Sequence, residues 1–253
     1  MPNAFELNDQ HILVTGASSG IGRACVRVCA ALGARVTLLA RNQERLQQVL
    51  DELEDPSRHG YLCVDVMDES LLQNAVAEAI AQRGKLDGFI HAAGIRETAP
   101  VASAEPADYH KAMDVNMIAG FQLLRLLTKR SRRNANLSAV YVSSVMGIVG
   151  QPGSVTYCAS KGALIAAVRA AAVELAAKGI RVNCVSPGMV MTEMGEKLLS
   201  ALPESSRQAI LDAHPLGFGQ AEDVAHMCAF LLSPASRWAT GANFVIDGGY
   251  TSS

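Results

Sequence analysis

The sequence lacks the patterns that mark several large classes of protein. Its 22 basic and 24 acidic residues give a net charge of -2, and they form no dense basic run except K-R-S-R-R at 129–133. That run falls where a helix is expected to end. Because cations there complement the helix dipole, we interpret the run as structural. We therefore expect no nucleic-acid partner.

Long apolar runs are missing as well. No stretch approaches the roughly 18 apolar residues that mark a membrane-spanning helix, and residues 1–10 lack a basic segment followed by an apolar one. We therefore expect no membrane partner and a cytoplasmic location. With 253 residues, 49% hydrophobic content and no internal repeat or linker, the chain is expected to form a single domain over 1–253.

Metal-binding and disulfide patterns are also missing. The six cysteines form no C-x-x-C pair and no cluster with histidine at zinc-ligand spacing. They are scattered through mostly apolar segments, which predicts buried thiols in a reducing compartment and no metal site. These residues are Cys25, Cys29, Cys63, Cys158, Cys184 and Cys228.

Short apolar runs alternate with longer amphipathic stretches from residue 11 onward. Strands are predicted at H-I-L-V-T, R-V-T-L-L-A, Y-L-C-V-D, L-D-G-F-I-H, A-V-Y-V-S, I-R-V-N-C-V-S and F-V-I-D. Because these runs do not alternate with polar residues, helices should cover both faces of the sheet. The sequence thus predicts an α/β fold, a Rossmann-type doubly wound parallel sheet of about seven strands.

Helical stretches follow most of these strands. We predict helices through residue 32, over 43–54, 69–82 and 106–130, and one that carries Tyr157 and Lys161. Residues 193–219, which contain Pro203 and Pro215 among several polar residues, are predicted to be a helical insertion that covers the substrate.

A glycine-rich turn, T-G-A-S-S-G-I-G at 15–22, joins the first strand to the first helix. A dinucleotide pyrophosphate would lie there on backbone N–H groups, and a Cβ would hold the backbone away from it. The spacing G-x-x-x-G-x-G differs from the general Rossmann pattern, and an ordinary tight connection is the alternative. The candidate cofactor residues are Gly16, Ser18, Ser19, Gly20, Ile21 and Gly22.

Tyr157 and Lys161 lie four residues apart, on one face of a predicted helix. A phenol has a pKa of about 10, and lowering it by ~3 units requires roughly 4 kcal/mol. An ammonium about 4 Å away supplies on the order of that amount. Ser144, at the end of the preceding strand, would hold a substrate oxygen before the phenol. The alternative is an exposed pair on a solvated helix.

With the glycine turn and these three residues together, the chain resembles the short-chain dehydrogenase/reductase family, in particular its 3-oxoacyl-carrier-protein-reductase-like members, over nearly all of 8–250. The resemblance implies that Asn116 is a fourth catalytic residue. It also implies further cofactor contacts from Asp65, Val66, Ala92, Ala93, Gly94, Tyr157, Lys161, Pro187, Gly188, Val190 and Thr192.

Two segments depart from the family pattern. His91 and Ala92 replace the usual pair of asparagines after the fourth strand, so the adenosine end of the cofactor is expected to be held differently. We expect His91 to be packed rather than catalytic. Phe218 replaces a basic residue in P-L-G-F-G at 215–219.

The resemblance implies an oxidoreductase that interconverts a ketone and a secondary alcohol by hydride transfer, with Tyr157 as general acid/base. Lys161 would lower the phenol pKa and bind the nicotinamide ribose, and Asn116 would hold a water. The alternatives are a non-catalytic cofactor-binding regulator or scaffold on the same fold, and a sugar-nucleotide epimerase. The resemblance and the apolar stretch F-V-I-D-G-G-Y also predict a homo-oligomer, a tetramer.

NADP(H) is the expected cofactor, although NAD(H) remains possible through an NAD-dependent dehydrogenase. About 20 residues after the glycine turn, where an NAD enzyme places an acidic residue, the chain has Ala40 and Arg41. A guanidinium suits a 2′-phosphate, with neutral contacts from Asn42 and Ser18. Alternatively, Arg41 begins a solvated helix.

The pocket walls are expected at 95–101, 146–154 and 189–214. They are mostly apolar, with Arg96, Gln151 and His214 available for polar contacts. The sequence therefore favours an uncharged or weakly polar ketone as the small-molecule substrate.

Overall fold

A parallel sheet forms the centre of the molecule, which a computed structural model describes over residues 3–252. The described residues form seven strands in the order β3-β2-β1-β4-β5-β6-β7. Every neighbouring pair is parallel. The strands are β1 (His11–Thr15), β2 (Arg35–Ala40), β3 (Gly60–Cys63), β4 (Leu86–His91), β5 (Arg133–Val142), β6 (Ile180–Pro187) and β7 (Asn243–Ile246).

The predicted single-domain, doubly wound α/β fold is confirmed. The strand order reverses direction between β1 and β4, and ligands of such sheets bind outside the carboxyl ends of the strands at this point. Nine α-helices occur within 3–252. They are α1 (Gly20–Ala31), α2 (Gln43–Asp51), α3 (Glu69–Arg83), α4 (Pro106–Met113), α5 (Ala119–Leu127), α6 (Val155–Leu175), α7 (Glu193–Ser200), α8 (Glu204–Asp212) and α9 (Ala221–Leu232).

Helices cover both faces of the sheet, and each face has its own core. Ile12 and Val14 of β1 pack in a cluster with α1, α2 and α9. Leu13, between them, packs in a second cluster with α3, α5 and α6. Because both faces are buried, the strands need apolar residues at consecutive positions, which explains the unalternating pattern of the sequence.

The helix predicted over 106–130 is interrupted. A π-helical segment, Asp114–Ile118, separates α4 from α5, which ends at Leu127. The segment contains Asn116, whose fully buried amide bonds the backbone of a neighbouring loop. These bonds fix the π-helical segment to the loop after β4, and π-helical turns often accompany functional positions. The predicted helix over 43–54 likewise ends early, at Asp51.

Three further expectations concern side chains and the insertion. In the basic run, Arg132 donates to the Leu126 carbonyl near the end of α5, as a structural role requires. The cysteines do not all behave as predicted, because Cys63 is exposed and Cys158 half-buried. The insertion contains α7 and α8. Within 3–252, no helix combines the length and apolarity that crossing a membrane demands.

Candidate active site

Ser144 and Tyr157 meet at the carboxyl end of β5. Ser144 follows the strand and precedes a short 3-10 helix, Val145–Gly147, where its Oγ accepts the Met146 N–H at 3.2 Å. Tyr157 lies in the first turn of α6, and its phenol hydrogen-bonds the Ser144 hydroxyl. Both side chains are buried, at 8% and 9% exposed. The alternative of a solvated helix pair is therefore excluded.

Burial controls the protonation of the phenol. It raises the pKa of Tyr157, while the Ser144 hydrogen bond and the Arg96 charge oppose that rise. Lys161 Nζ lies 5.7 Å from the Tyr157 ring centroid and donates to the Val142 carbonyl at 2.8 Å. The net pKa of the phenol is therefore raised and not lowered by ~3 units as the sequence predicted, because desolvation outweighs the nearby charges.

Lys161 is itself strongly affected by its surroundings. The side chain is only 4% exposed, and burial lowers its pKa to about 8. No ion pair involves Lys161 in the described chain. A buried ammonium with a single carbonyl acceptor is costly, so its retention points to function rather than stability.

Asn116 fastens the loop after β4 to α6. Its Oδ1 accepts the Ile95 N–H at 2.8 Å, and its Nδ2 donates to the Ile95 carbonyl at 3.1 Å and to Ser160 Oγ at 2.9 Å. A Cβ on Gly94 would lie 3.1 Å from Asn116 Oδ1 and 3.6 Å from Lys161 Nζ. Asn116 thus lies directly behind the loop that faces the Lys161 ammonium.

Two adjoining cavities lie at the switch point of the sheet. The larger has a volume of about 690 Å³, and the smaller, about 120 Å³, is lined by Ser144, Tyr157 and Lys161. Ile21, Ala92, Gly94 and Thr192 line both. All the predicted cofactor residues line one or the other. In the larger are Gly16, Ser18, Ser19, Gly20, Gly22, Arg41, Asn42, Asp65, Val66 and Ala93, and in the smaller Tyr157, Lys161, Pro187, Gly188 and Val190.

The glycine turn fits a dinucleotide pyrophosphate. Gly16 has a φ of 67°, and a Cβ there would lie 2.7 Å from the Ala93 nitrogen. A Cβ on Gly22 would collide with the Gly16 carbonyl. Among the described residues, no side chain caps the N-terminus of α1 and no acidic residue occupies its first turn. The first N–H groups of α1 therefore remain available to an anion.

The opposite end of the larger cavity carries charged side chains. The guanidinium of Arg41 lies 3.8 Å from the Asp65 carboxylate, and that of Arg45 lies 2.9 Å from Glu193. Asn42 Oδ1 accepts the Arg45 N–H at 2.9 Å and so caps α2. This capping bond uses the amide oxygen of Asn42, whereas the predicted contact to a phosphate would use its Nδ2–H groups.

Comparison with known proteins agrees with this geometry. A profile of the family described as enoyl-(acyl carrier protein) reductase matches residues 16–251. The chain belongs to the short-chain dehydrogenase/reductase family. It is 35% identical, over 97% of its length and 98% of the relative's, to a 3-oxoacyl-(acyl-carrier-protein) reductase FabG of Rickettsia conorii. It is 34% identical, over 97% and 98%, to a cyclopentanol dehydrogenase of a Comamonas species.

Solved structures give the same result for this enzyme. The crystal structure of a dehydrogenase/reductase from Sinorhizobium meliloti superposes with a TM-score of 0.89 at 31% identity, covering 98% of this chain and 97% of the other. A second protein of that organism, provisionally assigned as a short-chain alcohol dehydrogenase, reaches a TM-score of 0.93 at 30% identity, covering 99% and 100%.

His91 replaces an asparagine that is usual in this family. Its ring is buried, and its Nε2–H donates to the Val115 carbonyl at 3.1 Å. Its Nδ1 therefore accepts the Thr15 hydroxyl at 2.9 Å, and Thr15 Oγ1 accepts the Ala93 N–H at 3.2 Å. Burial lowers the His91 pKa to about 4, aided by the charge of Lys161. His91 is packed, and it links β1, β4 and the π-helical segment.

His214 is not available to a substrate, although the sequence offered it as a polar contact. Its Nε2 accepts the Met189 N–H at 3.1 Å, and its Nδ1–H donates to the Ile210 carbonyl at 2.6 Å. The ring stacks on Tyr250 at 4.7 Å and meets Phe218 edge-on at 5.6 Å. The departure at Phe218 thus places an aromatic ring against a buried histidine.

The sequence analysis missed Arg45 and Glu193, which pair across the larger cavity. Each follows a predicted cofactor residue closely, Arg45 three positions after Asn42 and Glu193 directly after Thr192. That proximity was the available signal. Their contact joins residues 148 positions apart, and no local pattern reveals it.

Proposed function

We propose that the chain is an NADP(H)-dependent oxidoreductase that interconverts a ketone and a secondary alcohol. The observation that carries the proposal is the junction of the two cavities. The glycine turn in the larger cavity would hold a dinucleotide, and the adjoining smaller cavity, where Ser144, Tyr157 and Lys161 converge, would receive its nicotinamide end. This is the arrangement that hydride transfer to a polarised carbonyl requires.

A bound nicotinamide supplies the hydride that adds to the carbonyl carbon. Ser144 holds the carbonyl oxygen through its hydroxyl. Tyr157 gives its phenolic proton to that oxygen, so the C=O π bond becomes a C–H and an O–H bond, and the phenolate then regains a proton from solvent. Because burial raises the pKa of Tyr157, the phenol stays protonated at neutral pH and is ready to donate.

Lys161 and Asn116 support this proton transfer. Lys161, with a pKa of about 8, is charged at neutral pH, so it stabilises the phenolate left after donation and binds the nicotinamide ribose. Asn116 fixes the loop at Ile95 and Gly94 beside that ammonium. One lone pair of its Oδ1 remains for a water that relays protons to Lys161.

The preference for NADP(H) rests on Arg41, whose side chain is 76% exposed at the edge of the larger cavity. Its long contact of 3.8 Å to Asp65 is weak, and a 2′-phosphate offers a better charge-assisted bond. Arg45 supplies a second cation at the same edge. Use of NAD(H) is the competing possibility, because Asp65 would favour an unphosphorylated ribose.

The surroundings of the site extend the proposal. Met194 of α7 lines both cavities, in keeping with an insertion over 193–219 that covers the substrate.

The exposed residues Ala166, Ala170 and Val173 share one face of α6, which favours a homo-oligomer, a tetramer. We also propose a cytoplasmic location, in keeping with the six free thiols. Light scattering that gives a monomeric mass would contradict the assembly.

The proposed function is tested with a panel of ketones, including 3-oxo esters and cyclopentanone, incubated with NADPH or NADH. We expect loss of the reduced-nicotinamide absorbance with at least one ketone, faster with NADPH, and none with Tyr157→Phe. Binding of NADPH, followed by its fluorescence, without turnover of any carbonyl compound would instead favour the non-catalytic regulator.

A further inference from the structure

Arg96 places an unneutralised cation beside the catalytic phenol. It belongs to the loop after β4 and lines the smaller cavity. Its guanidinium carbon lies 5.4 Å from the Tyr157 ring centroid, and its Nη2 donates to Gln151 Oε1 at 2.9 Å. Its Nε is buried without a hydrogen-bond partner in the described chain. A buried donor without a hydrogen-bond partner is unfavourable, so this guanidinium can still take a further acceptor.

The cavity around Arg96 holds positive charge and no negative charge. Arg96 takes part in none of the ion pairs among residues 3–252, and its neighbour Glu97 pairs with Lys111 instead. Among the described residues that line the smaller cavity there is no aspartate or glutamate, whereas Arg96 and Lys161 are both present. A cleft lined by one sign of charge concentrates ligands of the opposite sign.

The remaining walls show where an anion fits. Ile95, Met189 and Met194 are apolar. Gln151, which accepts a hydrogen bond from the guanidinium, does not line this cavity and is neutral. An anionic group on the substrate therefore finds its strongest partner at Arg96. Arginine binds a carboxylate through two parallel hydrogen bonds, a geometry that an uncharged ketone cannot use.

We infer that Arg96 binds a carboxylate of the substrate, and that the enzyme acts on oxo acids whose ketone lies within one or two carbons of that carboxylate. The short separation follows from the position of the guanidinium against the phenol that must face the ketone oxygen. The inference rests on the proposed function and differs from the uncharged ketone that the sequence favoured.

The test compares acids with their uncharged esters. The value of kcat/KM is measured for 2-oxobutanoate, 3-oxobutanoate and their methyl esters with the wild type, Arg96→Gln, Arg96→Lys and the control Lys111→Gln. Lys111→Gln removes the same charge from the neighbouring surface pair and does not line either cavity. Circular dichroism checks that each variant is folded, and Arg96→Lys tests the charge should Arg96→Gln fail to fold.

A charge-assisted hydrogen bond contributes on the order of 1.5–3 kcal/mol, which corresponds to a preference of roughly 10- to 100-fold. We expect the wild type to prefer one of the acids over its ester by about that factor. Arg96→Gln should abolish the preference mainly by raising KM for the acid, Arg96→Lys should keep part of it, and Lys111→Gln should keep all of it.

Three results would overturn the inference. The first is an equal kcat/KM for acids and esters in the wild type, and the second is turnover of uncharged ketones but of neither acid. The third is an equal loss of kcat/KM for acid and ester in Arg96→Gln, which would mean that Arg96 only positions Tyr157. Each leaves the proposed function intact, because a ketone is still reduced. Failure with every carbonyl compound would instead reject the proposed function, and the inference with it.

Discussion

The two ends of the cleft differ in how deeply their side chains are buried and in the contacts that hold them. At the end that we propose to be catalytic, Asn116, Ser144, Tyr157 and Lys161 are all buried, and each is fixed by at least one hydrogen bond. At the adenosine end, the side chains are exposed and are joined by surface ion pairs such as Arg41 with Asp65. Surface pairs of this kind contribute about 0–1 kcal/mol.

In the proposed mechanism, this difference separates the residues that transfer the proton from the residues that select the cofactor. Burial shifts the pKa values that acid–base chemistry depends on, so the catalytic end carries a cost in stability and tolerates few replacements. The exposed adenosine end can change its charges with little effect on folding. Substitutions at the two ends should therefore differ in both the size and the kind of their effects.

The largest expected effect follows from Tyr157→Phe. The substitution removes the transferable proton and keeps the ring, so turnover should fall on the order of 10³-fold. Cofactor affinity, measured by the fluorescence of bound NADPH, should stay close to that of the wild type. Substantial residual turnover would reject Tyr157 as the general acid.

Lys161→Met should impair function and stabilise the protein. Turnover and cofactor binding should both fall, because the proposed role of the ammonium is to stabilise the phenolate and to bind the nicotinamide ribose. Below the folded pKa of about 8 the lysine is charged in both the folded and unfolded states, so the folded state carries the full cost of burying that charge.

Replacement by a side chain of similar length should therefore raise the free energy of unfolding at neutral pH by about 1–3 kcal/mol. Thermal or denaturant unfolding measures this change. The exposed Lys178→Met serves as the control and should change nothing. A Lys161→Met protein less stable than the wild type would contradict the argument.

Acid should destabilise the protein through its buried histidines. Burial lowers the pKa of both His11 and His91 to about 4, from about 6.5 when unfolded. The folded state binds fewer protons than the unfolded state between these values, so the stability present above pH 6.5 is lost as the pH falls toward 4. For His91 alone the loss is on the order of 3 kcal/mol.

The dependence is measured by urea unfolding at several pH values, and His91→Asn should make it shallower. The exposed His226→Asn provides a matched control. If His91→Asn shows the same pH dependence as the wild type, the buried neutral imidazole is not its source.

The smallest expected effect lies at the adenosine end. Arg41→Ala should lower the ratio of kcat/KM for NADPH to that for NADH by about tenfold or less, because one exposed charge-assisted contact is lost. The free energy of unfolding, and kcat with the better cofactor, should not change. Arg237→Ala, exposed and away from both cavities, is the control. An unchanged ratio, or a wild type that prefers NADH, would remove Arg41 as the partner of the phosphate.

The sequence predicted the features that depend on residues close together in the chain, and it did not predict those that depend on contacts between distant segments. The glycine turn and the Tyr157–Lys161 spacing depend on neighbours within a few residues, and the structure brings all of them to the two cavities. The strands, whose apolar residues do not alternate with polar ones, likewise indicate a sheet that is buried on both faces. These features are local, so a single chain reveals them.

Features set by distant contacts were missed or wrong. The π-helical segment depends on the bonds of Asn116 to Ile95, and the pKa of Tyr157 depends on how completely the fold excludes water. His214 loses its expected role because Met189 and Ile210 occupy its nitrogens. Each of these outcomes follows from packing between segments that the sequence pattern does not pair.

The central claim is hydride transfer from a nicotinamide to a ketone carbon at the Ser144–Tyr157 site. The most direct measurement uses NADPH deuterated on either face of its C4 with a ketone that the panel identifies, followed by mass spectrometry of the product. The account predicts an alcohol with deuterium on its carbinol carbon from only one of the two labelled cofactors, and none with Tyr157→Phe. An alcohol that carries no cofactor deuterium from either face, or equal label with Tyr157→Phe, would contradict it.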